Sequence, residues 1–162
     1  MSSEIVSIRR ATRRDIPFLT SSWLRSFRDG AFVRGVPSTL YYRYHHKVIS
    51  ALLSRAVTLV AVNAEDDDQI LGWLCAELVE GPSLVVHYAY VKEVFRKQGL
   101  AKRLLDVFMK ADNPVVVQYT HRTFAVKKIR DKAEEEGREP FMKGWIYNPY
   151  LLFASMPQDW YK

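Results

Sequence analysis

The chain has a single cysteine, Cys75, among 162 residues, so no intramolecular disulfide can form and the disulfide-framed scaffolds are excluded. Cys75 lies inside an apolar stretch, where it reads as a buried, inert thiol. No apolar run approaches the roughly eighteen residues needed to cross a bilayer. The opening Met-Ser-Ser-Glu-Ile-Val lacks the basic-then-apolar order of a secretory leader. Internal repeats and long linkers are also missing. These absences predict one domain over residues 1–162, a reducing cytoplasmic setting and no membrane partner. What is present fits that frame: 48% of residues are apolar and 13% aromatic, enough for a real core.

Charge is unevenly spread. Of the formal +6, the segment from Met1 to Ala56 holds ten Arg or Lys against Glu4, Asp15 and Asp29, while the remainder has fourteen basic against fifteen acidic residues. The basic excess therefore belongs to the first third. Such a face suits a nucleic acid, an acidic protein or cofactor phosphates, and equally a solvated helical surface. The tetrad Glu65-Asp66-Asp67-Asp68 lacks the spaced ligands of a calcium loop and reads as a hairpin turn, so no metal site is expected.

Periodicity places the elements. A strand is expected over Ile5 to Arg10, then a helix capped by Thr12 or Asp15, with Ile16, Leu19, Trp23, Leu24 and Phe27 on one face. Ser38 is expected to cap a second helix that buries Tyr41, Tyr44, His45, Val48, Ile49 and Leu52. Strands follow over Val57 to Asn63, Ile70 to Glu80 and, after a Gly81-Pro82 turn, Leu84 to Val91. A helix over Gly99 to Lys110 precedes a strand from Val115 to Tyr119. A charged helix from Thr123 to Glu136, with Phe124, Ile129 and Ala133 inward and Gly137 as its stop, leads to a closing hairpin of Phe141 to Tyr147 and Tyr150 to Ala154.

The junction between the Leu84–Val91 strand and the following helix carries the chemistry. Its sequence, Val91-Lys-Glu-Val-Phe-Arg96-Lys-Gln-Gly99-Leu-Ala101-Lys102, joins an apolar strand to a helix N-terminus through a basic turn. Helix N-termini expose backbone N–H groups at the positive end of the dipole, so such a turn suits phosphate. Gly99 and Ala101 leave those amides unshielded, and Arg96, Lys97 and Lys102 add full charges.

The pattern R-x-x-G-x-A between a strand and a helix, made by Arg96, Gly99 and Ala101, resembles the acyl-CoA pyrophosphate motif of the GCN5-related N-acetyltransferase (GNAT) superfamily. Lys97 stands where many members have Gly, which an L-residue tolerates only if the turn keeps φ negative there. The order of elements resembles the same superfamily over nearly the whole chain. The resemblance implies an α/β (α+β) fold with a mixed, mostly antiparallel sheet of six to seven strands flanked by about four helices. It also implies acetyl-CoA as cofactor, its diphosphate on the amides of Lys97, Gln98, Gly99, Leu100 and Ala101 beside the charges of Arg96 and Lys102, and its thioester near Ala89, Tyr90 and Val91.

The run from His87 to Gly99 resembles the arylalkylamine N-acetyltransferase branch, where a strand histidine takes part in removing the amine proton; this implies His87 as base. Alternation would place His87 with Ala89 and Val91, and the competing reading is a core histidine with both nitrogens satisfied. Other members use a strand glutamate two residues earlier, and that position is Val85 here. The acid is less defined: Thr120 to Phe124 does not reproduce the family's Asn and Tyr, which leaves Tyr119, Tyr88 and Tyr90 as candidates by proximity, while His121 touches cofactor or nothing.

The acceptor implied is a primary amine on a small molecule, protein or nucleic acid, with Trp23, Phe27, Arg28, Arg34, Tyr41, Tyr42, Arg43, His45, His46, Trp145 and Tyr147 on its side of the fold. Alternatives are an inactive module binding nucleic acid or protein through the basic first third, and an enzyme acting on tRNA-linked or modified-DNA amines. The segments Ser22 to Asp29 and Tyr41 to His46 also resemble acetyltransferase-fold proteins of phages and prophages. A monomer or homodimer is expected.

Overall fold

The computed structural model describes residues 5–79, 83–135 and 145–152. Within them the chain forms β1 (Val6–Arg10), α1 (Ile16–Asp29), α2 (Ser38–Arg55), β2 (Val57–Asn63), β3 (Asp66–Val79), β4 (Ser83–Val91), α3 (Leu100–Asp112), β5 (Val116–Tyr119), α4 (Phe124–Glu135) and β6 (Trp145–Tyr147). The strands make one sheet in the order β1-β2-β3-β4-β5-β6. The first four are antiparallel neighbours, whereas β5 lies parallel to β4 and β6 parallel to β5. The expected mixed, mostly antiparallel fold is therefore present, with six strands and four helices among the described residues. No described helix is long and apolar enough to cross a membrane.

Two cores result because β2, β3 and β4 are apolar on both faces. On one face Leu100, Leu104, Leu105 and Phe108 of α3 cover Leu59, Ala61, Leu74, Val86 and Val117. These four α3 residues fall at i, i+4, i+5 and i+8, which is one helical stripe. On the other face Leu19, Trp23 and Phe27 of α1 and Tyr41, Val48, Ile49 and Leu52 of α2 cover Val60, Val62, Trp73, Cys75 and Tyr88. Trp23 is fully buried, stacks on Tyr88 at 5.0 Å and tilts against Trp73 at 5.4 Å. Cys75 is buried as expected, and burial pushes its thiol up to about 12.

Several local expectations need correction. Ser38 is the first residue of α2 rather than its cap; Pro37 holds that place, and Ser38 Oγ accepts a hydrogen bond from Arg28 Nη2 at 3.0 Å. Tyr44 is exposed because it lies off the α2 stripe, with Lys47 over its ring at 5.7 Å. Phe124 is exposed while Val126 is buried, so the inward face of α4 does not include Phe124; the side chains of Ile129 and Ala133 lie outside the described residues. Tyr150 to Leu152 form a short 3-10 helix, not a strand. Asn148 causes this: its Oδ1 accepts from the Tyr150 N–H at 3.2 Å, its backbone N–H bonds Tyr119 O at 2.9 Å, and Pro149 cannot donate to a ladder. The expected Gly81-Pro82 turn, the Gly137 stop and residues 141–144 and 153–154 of the hairpin lie outside the described residues.

Much of the basic charge is spent internally. Arg9 grips Asp15 through two nitrogens, at 2.8 and 3.0 Å, and reaches Asp67 at 2.9 Å. Arg14 forks onto both oxygens of Asp68 at 2.9 and 3.0 Å. The acidic tetrad thus ties the start of β3 to β1 and the turn before α1. Arg28 donates to the carbonyls of Val33 and Val36.

Gly72 of β3 sits where an added Cβ would lie 2.8 Å from the Tyr90 carbonyl oxygen, closer than such atoms approach. Because the obstacle is backbone, β3 and β4 would have to part. Gly72→Ala should therefore destabilise the fold by about 1–3 kcal/mol, read as a lowered urea midpoint; an unchanged midpoint would show that the two strands yield freely.

Candidate active site

β5 is short, and that shortness shapes the site. Pairing between β4 and β5 runs only from Ser83↔Val116 to Val86↔Tyr119, with Thr120 N–H to Val86 O at 3.3 Å as its last bond. β4 continues to Val91 with no β5 partner among the described residues. A bulge between Cys75 and Ala76 lies opposite the same point and puts Tyr88 against Cys75 and Val86 against Ala76, leaving His87 as the extra residue. The two strands therefore part at His87 and Thr120. Ala89, Tyr90 and Val91 lie half-buried along the opened edge of β4.

The turn after β4 is exposed at Arg96, Lys97, Gln98 and Gly99, and Leu100 then anchors α3 in the core at 4% exposure. Arg96 Nε donates to Val91 O at 3.0 Å, which folds the turn back on the strand end. Lys97 has φ 64° and Gly99 φ 78°, so the expectation of a negative φ at Lys97 is wrong. A left-handed conformation costs an L-residue roughly 1–2 kcal/mol. No side chain caps α3, whose N-cap is Gly99 itself. A Cβ built on Gly99 meets nothing within 4 Å. Ala101 is half-buried and Lys102 exposed. Open amides, a glycine N-cap and three cations within seven residues form a cradle that fits a diphosphate.

His87 does not face Ala89 and Val91. The bulge shifts the alternation, so Val86, Ala89 and Val91 pack toward α3 while Tyr88 and Tyr90 pack toward α1 and α2. His87 is 1% exposed, and both ring nitrogens are engaged: Nδ1 with Thr120 Oγ1 at 2.9 Å and Nε2 with Glu77 Oε1 at 2.9 Å. Arg55, at the end of α2, donates to the same Glu77 carboxylate at 3.1 Å and to Leu151 and Leu152 carbonyls. Glu77 pairs with Val85 in register, so the neighbouring strand brings a carboxylate beside the position where the sequence shows only valine.

His121, expected to meet cofactor or nothing, is 3% exposed beneath Trp23, Phe27 and Tyr88. Its Nδ1 meets Thr120 Oγ1 at 3.0 Å and its Nε2 meets His45 Nε2 at 3.0 Å. Sequence reasoning missed Glu77, Thr120 and Arg55 here, since nothing local marks them and their contacts join residues far apart in the chain. Among the tyrosines, Tyr88 bonds Ser26 at 2.7 Å, and burial pushes its phenol up to about 12. Tyr90 lines the opened edge, and Tyr119 lies against Trp145 and Tyr147. Tyr119 also borders a pocket of about 270 Å³ formed with Phe32, Arg122, Thr123, Phe124, Val126 and Lys127. Arg122 lies over the rings of Phe32 and Tyr147 at 5.8 and 5.2 Å and has no carboxylate partner among the described residues. Trp23 and Phe27, expected on the acceptor side, are core residues instead. No described cluster of three His, Cys, Asp or Glu can hold a metal.

Burial holds the imidazole of His45 down to about 4, His121 well below the ordinary value and His87 below it despite Glu77. For Glu77, burial raises the carboxyl, but the hydrogen bonds of His87 and Arg55 outweigh it and leave it below the usual range. In the unfolded chain the three histidines protonate near pH 6.5, whereas the folded protein keeps them neutral. The unfolded state therefore binds more protons below that pH, and stability falls as pH drops from about 6.5 toward 4. Urea unfolding should show a slope of up to about 1.4 kcal/mol per pH unit for each histidine, reduced in His45→Phe. A flat profile over this window would contradict buried neutral imidazoles.

The chain resembles a crystal structure of histone acetyltransferase HPA2 and related acetyltransferase from Corynebacterium glutamicum, with TM-score 0.59 and 13% identity over 79% of this chain and 83% of that one. A possible acetyltransferase from Clostridium difficile 630 gives TM-score 0.57 and 14% identity over 83% and 90%. Ribosomal-protein-alanine N-acetyltransferase from Brucella melitensis biovar Abortus gives 0.54 and 19% over 81% and 89%. At such identities these likenesses speak for the fold. No curated protein sequence matches. The profile described as Acetyltransferase (GNAT) family matches residues 19–111, more than half of the chain and including β4, the basic turn and nearly all of α3, and the protein belongs to that family.

Proposed function

We propose that this protein transfers an acetyl group from acetyl-CoA to a primary amine, binding the donor across the opened edge of β4 and the turn from Arg96 to Lys102. The observation that carries this reading is the coincidence of a strand edge freed at His87 with an exposed, uncapped helix N-terminus a few residues later. When bound, acetyl-CoA supplies an activated acetyl thioester.

The chain's own residues divide the remaining work. The amides of Lys97 to Lys102 meet the diphosphate, with Arg96, Lys97 and Lys102 neutralising its charge. Backbone groups of Ala89, Tyr90 and Val91 align the donor's arm as a further strand would, and an N–H there polarises the thioester carbonyl. His87 sits where the strands part and takes part in proton removal from within, since its ring has no direct opening to solvent. The pocket beside Tyr119 opens on the acceptor side, and Tyr119 borders the reacting amine there. Its Arg122 and Lys127 among Phe32 and Phe124 suit an amine that also carries a negative group and a planar ring, rather than a polycation.

Titration calorimetry with acetyl-CoA tests the donor site. Wild-type protein should bind and gain thermal stability, while Gly99→Asp should weaken binding at least tenfold, because its carboxylate would enter the space at the helix amides and repel the diphosphate. Absence of binding to wild-type protein at millimolar ligand, or full binding by Gly99→Asp, would remove this reading.

A further inference from the structure

Four hydrogen bonds thread the interior from α2 to β3. They join His45 Nε2 to His121 Nε2 at 3.0 Å, His121 Nδ1 to Thr120 Oγ1 at 3.0 Å, Thr120 Oγ1 to His87 Nδ1 at 2.9 Å and His87 Nε2 to Glu77 Oε1 at 2.9 Å. The three inner members are sealed, at 3, 2 and 1% exposure for His121, Thr120 and His87. Both ends, His45 and Glu77, are half-buried.

Donor counting fixes the direction of every bond. A carboxylate only accepts, so the neutral His87 ring must carry its proton on Nε2. His87 Nδ1 is then bare and accepts from the Thr120 hydroxyl. Thr120 has no second proton, so it accepts from His121 Nδ1–H. That leaves His121 Nε2 bare, to accept from His45 Nε2–H. One charge at Glu77 thereby orients four other residues, and the outer end finishes in a lone pair on His45 Nδ1.

We propose, building on the acetyltransferase reading above, that this chain is a proton relay serving the reaction from one end. A proton arriving at His45 Nδ1 is matched by a shift along each bond. The His45 Nε2 proton passes to His121 Nε2, the His121 Nδ1 proton to Thr120 Oγ1, the Thr120 hydroxyl proton to His87 Nδ1 and the His87 Nε2 proton to Glu77 Oε1. Every inner member keeps its proton count, and Glu77 becomes a carboxylic acid. Arg55, bonded to that carboxylate, disfavours the protonated form and drives the proton back, so the chain returns to its starting order.

Hydrogen exchange at the ring nitrogens tests this directly. In protein labelled with ¹⁵N at histidine, at pH 7, His87 and His45 should carry the proton on Nε2 and His121 on Nδ1. The His121 ring proton should exchange with water far faster than core backbone amides, since relay steps need no unfolding. Thr120→Val keeps the shape and breaks the chain, so His121 exchange should slow at least tenfold; Thr120→Ser should restore it. A static hydrogen-bond network gives the opposite sign, because loss of a partner frees the ring and leaves exchange equal or faster. That result, or a proton on His121 Nε2 in the wild type, would overturn the relay. Acetyl-CoA calorimetry on Thr120→Val separates the two readings: retained binding with unslowed exchange sinks the relay alone, whereas lack of binding by wild-type protein sinks the donor site and leaves the exchange result to stand by itself.

Discussion

The early end of β4–β5 pairing is the constraint on which the rest of this protein depends. β5 contributes four paired residues and then turns away at Thr120, while β4 runs five residues further. A sheet that paired over that whole length would bury both strand edges in one ladder. Here the ladder stops, and two consequences follow from the same event. The edge of β4 keeps backbone groups available for an extended ligand, and the chain at Thr120 and His121 is directed inward beneath α1 and α2.

The inward turn carries an electrostatic problem, and its solution links elements distant in sequence. Burying three imidazoles and a carboxylate is unfavourable unless each polar atom finds a partner. Arg55 balances the charge of Glu77, and the histidines stay neutral because burial outweighs the attraction of the carboxylate. The aromatic shell of Trp23, Phe27, Tyr41 and Tyr88 keeps water from these rings. Stability and the neutral state of the imidazoles thus rest on the same contacts, since any residue that loosened the shell would let the imidazoles ionise.

The turn after β4 solves a different problem. Lys97 adopts a left-handed conformation that a glycine would take without cost, so the surrounding bonds must hold it there. Arg96 to Val91 O, Phe95 N–H to Lys92 O and Leu100 in the core supply that hold. The lysine also adds a charge at the mouth of the cradle. Local strain is exchanged for electrostatic attraction at the place where an anion would bind.

Sequence alone determined the order of elements through β5 and α4, the strand-to-helix junction that carries Arg96, Gly99 and Ala101, and the apolar stripe of α1, because these depend on periodicity and on turn chemistry a few residues long. It did not reveal the face of His87, since one bulge residue reverses the alternation and no pattern within β4 announces it. It missed the 3-10 turn at Pro149 to Leu152, where Asn148 captures the backbone bonds a strand would need. Only the tertiary structure decided which carboxylate meets His87, that His121 lies under Trp23 and that His45 joins it. Those pairings come from strand register and helix packing, which bring together positions tens of residues apart and leave no local trace in the chain.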